Sequence, residues 1–287
     1  MASESSKVEH KYDEIKYDLD GPSAVITLNR PEALNALTNN MLEELKHALA
    51  AAEADTNVVG IILTGEGRGF CAGMDMNALD AQASGGDLSG GVALKKLDAH
   101  PGDKDMGEDF QVTFAYIMSI RKPIIVALNG VCAGLGMSIV LLCDMRFASE
   151  NGKFVTAFSQ RGLVAEHGQS WILPRLIGPA RALDLLWSSR KVGAEEAKEL
   201  GMVERIFPAD ELLDQTKAYI QGLADSSAPV SMMLMKKQIY RHMNMSLGDS
   251  MRETNQMMAA SLEQSDFTEG VKSFLEKRPP KFTKVDF

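Results

Sequence analysis

The sequence predicts an α/β chain, with a layered core of alternating strands and helices followed by an all-helical C-terminal part. Three observations predict it. Apolar, largely β-branched runs recur at residues 23–31, 58–65 and 122–130, each closed by proline or glycine. Segments with apolar residues at helical spacing lie between and after them, which is the pattern of βαβ-type layers. Beyond about residue 207 the strand runs stop and four helical segments follow one another.

Taken in order, "SAVITLNRP" (23–31) is a strand ended by Pro31, and "LTNNMLEELKHALAAAEAD" (37–55) is a helix behind a polar N-terminal cap. "VVGIILTG" (58–65) reads as a buried strand, and "KPIIVALNG" (122–130) repeats it. "LGMSIVLLCDMRFAS" (135–149) is a short apolar helix running into a further strand. Residues 80–108 are rich in Gly, Asp and Ser without a steady period, so they predict a long loop bordering a site. Helices are expected at 208–226, 229–245, 248–263 and 266–277. The methionines on them fit core or subunit-interface packing. The expected organisation is a flexible extension over 1–11, a core over 12–207 and a helical region over 208–287.

The chain has 287 residues, with 30 basic and 39 acidic side chains and a net charge of −9. A balance this acidic, with no basic run able to follow phosphates, argues against a nucleic-acid partner. Cys71, Cys132 and Cys143 stand apart in apolar surroundings, which predicts buried free thiols in a reducing compartment. The five histidines never fall at i, i+4 spacing, so no local metal site is legible. No apolar stretch reaches the ~18 residues of a membrane span. These features predict a soluble, cytoplasmic protein without a membrane partner.

"NGVCAGLG", after the strand "PIIVAL", has the glycine spacing of a dinucleotide-binding turn. It sits near residue 130, however, and the Tyr12 to Lys16 pair lies upstream, where a short-chain dehydrogenase would carry it downstream. The same glycines suit another task. A glycine-rich turn entering a helix exposes N–H groups that the first helical turn cannot satisfy, and these can receive negative charge developing on a carbonyl oxygen. "GRGFCAGMD" (67–75), after the strand 58–65, could supply a second such donor. Two tight turns without a ligand remain the alternative.

Together, "GRGFCAGMDM", "KPIIVALNGVCAGLGMSIVLLCDMRFAS" and "GPARALDLLWSSRKVGAEEAKELGMVERIFP" resemble, in this order and spacing, the enoyl-CoA hydratase/isomerase (crotonase) superfamily, over roughly residues 12–280. The resemblance implies a spiral of ββα turns, a C-terminal trimerisation region giving a homotrimer or homohexamer, and an acyl-CoA substrate with no cofactor beyond its own coenzyme A. It also implies that the backbone N–H groups of Met74 and Leu135 form an oxyanion hole. Gly134 and Gly136 would then shape that turn, and the adenine would lie near Ala72. Phe158 and Trp171 would border the acyl group.

Hydratases of this family carry two glutamates, at positions that here hold Ser138 and Phe158. The isomerases of the resemblance place one carboxylate in "G-L-x-x-[ED]-x-G", matched here by Glu166 in "GLVAEHG". Glu166 thus has two readings: a proton-shuttling base, or a cap on the helix beginning near Gly168. Phe158, Leu163 and Val164 would withdraw it from water if they line the pocket, and His167 could orient it. Asp144 fits a turn-holding role. The expected reaction is enoyl-CoA double-bond isomerisation. Hydration by Glu166 is the alternative, followed by thioester hydrolysis or other chemistry on the same enolate.

Overall fold

The computed structural model describes residues 12–85 and 97–285; the expected N-terminal extension and residues 86–96 of the long loop lie outside the described residues. The chain opens with an antiparallel pair, β1 (Ile15–Asp20) and β2 (Ser23–Leu28), turned at Gly21 with φ +55°. Helix α1 (Asn39–Ala54) begins at Thr38, whose hydroxyl accepts the Met41 N–H at 3.0 Å.

Three β-β-α passages then follow one another. The first is β3 (Gly60–Gly65), β4 (Gly69–Cys71) and α2 (Met76–Ala83). After the short helix α3 (Tyr116–Ser119) come β5 (Ile124–Leu128), β6 (Val131–Ala133) and α4 (Leu135–Leu142). The third is β7 (Met145–Ser149), β8 (Lys153–Val155) and α5 (Gln169–Ile177). Helix α6 (Pro179–Ser188), β9 (Val192–Gly193), α7 (Ala194–Leu200) and β10 (Arg205–Phe207) complete the core.

In each passage the first strand joins one sheet and the second joins another. The large sheet has the order β1-β2-β3-β5-β7-β10 and the small one β4-β6-β8-β9, so the chain winds as a spiral of ββα turns. From β2 to β10 the large sheet is parallel. Both of its faces are covered, which explains the continuous apolar runs in the sequence. One face turns Ile26, Ile61, Leu63 and Val126 toward α1 and α4 in the main core. The other turns Val25, Ile62, Ile125 and Phe147 onto Leu212 and Ile220 of α8 (Leu212–Ser226).

The remaining helices, α9 (Pro229–His242), α10 (Leu247–Leu262) and α11 (Ser265–Glu276), extend from the core. Asp144 anchors α9: its carboxylate accepts the Ile124 N–H at 2.7 Å, Lys236 Nζ at 2.7 Å and the Tyr240 hydroxyl at 2.9 Å. The three cysteines are buried free thiols. Among the described residues no helix is long and apolar enough to cross a membrane, and no His/Cys/Asp/Glu cluster could hold a metal.

Candidate active site

Parallel strands β4, β6 and β8 lie side by side, with Cys71 beside Cys132 and Ala133 beside Val155, so their C-terminal ends open at one place. Each end enters a different segment of interest. β4 leads to Met74, β6 to Leu135, and β8 to the turn carrying Glu166.

The Met74 loop is fixed by backbone bonds. Leu37 donates its N–H to the Gly73 carbonyl at 2.7 Å and accepts the Asp75 N–H at 3.0 Å. Because amide directions alternate along an extended chain, the N–H of Met74 is turned away from Leu37. Asp75 holds the loop from its other end, accepting Arg30 Nη1 at 3.0 Å and the Asn77 N–H at 2.9 Å. Arg30 also donates to the Ala36 carbonyl at 2.7 Å, tying the loop to the chain before α1. Ala72 is exposed where β4 ends.

Leu135 is the first residue of α4, so its N–H has no helical acceptor. Gly134, with φ +50° and ψ −122°, makes the turn before it. Gly73, at φ +97°, lets the two loops meet: a Cβ there would stand 3.1 Å from the Ala133 carbonyl oxygen and 3.7 Å from the Leu135 nitrogen. Gly136 serves packing, since a Cβ on it would come within 2.6 Å of Cys71 Sγ. Two strand-to-helix turns therefore set two amides close together, an arrangement suited to an oxyanion.

Glu166 does not cap α5. Its N-cap is Gly168, at φ +82°, and no side chain bonds there. Among the described residues no hydrogen bond reaches the Glu166 carboxylate, which is 35 % exposed. Leu163 and Val164 are exposed, so they do not withdraw it from water. His167 Nε2 lies 3.6 Å from Glu166 Oε2. Burial holds the His167 pKa below its usual value against the opposing pull of Glu166, so this contact is made by a neutral ring at neutral pH. The ring also packs edge-on against Phe114, with centroids 5.2 Å apart.

Gln169 joins the Glu166 turn to the Leu135 turn, and sequence reasoning missed it. Its N–H donates to the Glu166 carbonyl at 3.1 Å. Its Nε2 donates to Ser138 Oγ at 3.2 Å and reaches the Gly134 carbonyl at 3.4 Å. Gln169 and Ser138 are both fully buried. Only the pairing of a glutamine with a serine at one of the hydratase carboxylate positions could have signalled this.

A cavity of about 390 Å³ opens beside the same turn. Its floor is Phe110, Met118 and Leu142, and its wall includes Phe114, His167 and Trp171. Phe158, buried, lies outside the residues lining it.

The enoyl-CoA hydratase/isomerase family model matches residues 21–87 and 80–285. A probable enoyl-CoA hydratase of Rhodobacter capsulatus is 33 % identical over 95 % of this chain and 98 % of its own. The 1,2-epoxyphenylacetyl-CoA isomerase of Escherichia coli is 32 % identical over 90 % of this chain and 94 % of its own. The crystal structure of enoyl-CoA hydratase from Bacillus anthracis superposes with a TM-score of 0.81 at 28 % identity, covering 95 % of this chain and all of that one, 100 %. By its matching blocks, its spiral fold and these relatives, the chain belongs to the enoyl-CoA hydratase/isomerase (crotonase) superfamily.

Proposed function

We propose that this enzyme isomerises the double bond of an enoyl-CoA thioester, with Glu166 as the base and the Met74 and Leu135 amides as the oxyanion hole. The observation that carries this reading is the difference between three positions. Ser138 is buried and bonded to Gln169, Phe158 is buried, and neither is a carboxylate, whereas the Glu166 carboxylate has no hydrogen bond among the described residues and directly precedes His167 and Gly168 of the cavity wall.

The thioester carbonyl accepts the two N–H groups. Glu166 removes a proton from C2 of a 3-enoyl group, and the electron pair delocalises as a dienolate onto the thioester oxygen. The protonated Glu166 then returns the proton to C4, leaving the double bond between C2 and C3. Each amide donor of such a hole typically lowers the barrier by about 3 kcal/mol. His167, neutral beside Glu166, sets no fixed positive charge against it and leaves it free to accept the proton. No cofactor is required beyond the coenzyme A of the substrate.

A second reading, activation of water by Glu166 for addition to a 2-enoyl group, is supported by the partial exposure of Glu166 and by the hydratase name of the R. capsulatus relative. Offering 3-enoyl-CoA and 2-enoyl-CoA separately distinguishes them. Isomerisation is expected, falling by about 10²–10⁴-fold in Glu166→Gln. Undiminished turnover in that variant would overturn the mechanism, and hydration without isomerisation would establish the second reading. We place the working enzyme in the cytoplasm as a homotrimer or homohexamer, a reading supported by the buried thiols and by the exposed apolar faces of α10 and α11.

A further inference from the structure

The geometry points to a substrate preference: the cavity beside the Glu166 turn selects an apolar acyl chain of medium length over a four-carbon one. This rests on the assignment of Glu166 above, since His167 and Gly168, the next two residues, form part of the cavity wall. On this reading a chain whose C2 and C4 face Glu166 runs its further carbons past His167 into this space.

Three features define what fits there. The volume, about 390 Å³, falls in the ~300–1,000 Å³ range of clefts that enclose a drug-sized ligand. A four-carbon acyl group ends at the reacting carbons and would leave the space to water. The floor offers only Phe110, Met118 and Leu142, all buried and without a hydrogen-bonding group to hold a polar tail. Among the described residues, the one charged group lining the cavity is the carboxylate of exposed Asp109, and no lysine or arginine accompanies it. An acyl chain ending in a carboxylate would meet repulsion there, and an apolar chain would not.

Each methylene brought from water into the cavity is expected to strengthen binding by about threefold to fourfold. The test measures binding and therefore does not depend on which reaction the enzyme performs. Calorimetric titration of the full chain with butyryl-CoA, octanoyl-CoA and the eight-carbon dicarboxylic suberyl-CoA should give a Kd for octanoyl-CoA at least tenfold below the other two. Ala115→Phe, which projects a ring into the cavity, should bring the octanoyl and butyryl values toward each other, and butyryl-CoA binding shows that the variant is folded. Equal affinities in the unsubstituted protein would overturn the proposal, as would an octanoyl preference untouched by Ala115→Phe. Failure to isomerise any 3-enoyl-CoA, together with tight octanoyl-CoA binding, would leave the chain preference standing and remove only the reaction assigned above.

Discussion

Helices α8 and α10 follow the same amphipathic plan and end in opposite situations. α8 presses Leu212, Thr216 and Ile220 against the large sheet, and Gly60 on β3 makes the room, since a Cβ there would stand 3.0 Å from the Ile220 side chain. α10 buries none of its 16 residues; Leu247 is 80 % exposed, and Met251, Met258 and Leu262 are exposed with it. α11 adds Phe274, 83 % exposed. Helical period tells which face is apolar, and the surface opposite decides whether that face is covered. Apolar exposure on this scale is what the proposed homotrimer or homohexamer would cover.

The largest expected effect tests the contrast directly. Ile220→Ala should lower the free energy of unfolding in urea by about 2–5 kcal/mol, because it opens a cavity under the sheet. Leu262→Ala, a truncation of similar size on α10, should change it by less than about 0.5 kcal/mol at concentrations where the chain is monomeric. An equal loss from both would break the comparison.

At the active site burial falls on a polar side chain instead. Gln169→Leu removes the donor shared by Ser138 Oγ and the Gly134 carbonyl, leaving the buried Ser138 hydroxyl without that partner while the Gly134 carbonyl keeps the Ser138 N–H at 3.1 Å. Turnover should fall about tenfold, roughly 1.4 kcal/mol of barrier. KM should change little, since no substrate contact is lost. A rise in KM with kcat intact would show that Gln169 binds substrate and does not position the two turns.

The smallest effect on the isolated chain is expected on the outer helices. Leu247→Lys combined with Phe274→Glu should leave monomer stability within about 0.5 kcal/mol. The same pair should lower the mass in solution by light scattering and remove the dependence of Tm on protein concentration. An unchanged mass would place the subunit contacts elsewhere.

Much of this was legible in the sequence. The strands at 60–65 and 124–128, helix α1 and all four C-terminal helices fall where apolar periodicity put them, because each is long enough to show a period. The small sheet was not legible. Gly69–Cys71, Val131–Ala133 and Lys153–Val155 have three residues each, too few for an alternation to register. β1 also escaped, since a charged edge strand, IKYDLD, shows no buried face of its own. The long loop, expected over 80–108, begins inside α2 and carries a short 3-10 turn at Lys104–Met106, followed by another at Glu108–Phe110.

For the site, the glycines and Glu166 stood out in "GLVAEHGQSW", where local reading alone favoured a helix cap. By itself the sequence determined which residue types were present: glycines able to take φ near +97° and +50°, one carboxylate in an apolar turn, and serine and phenylalanine where family hydratases carry glutamate. Tertiary structure alone decided that Gly168 occupies the N-cap and that the Glu166 carboxylate has no hydrogen bond among the described residues, and that Gln169 spans to Gly134 and Ser138. The physical reason is separation along the chain. Gln169 and Ser138 are 31 residues apart and meet only because adjacent parallel strands end together, a contact that no local period encodes.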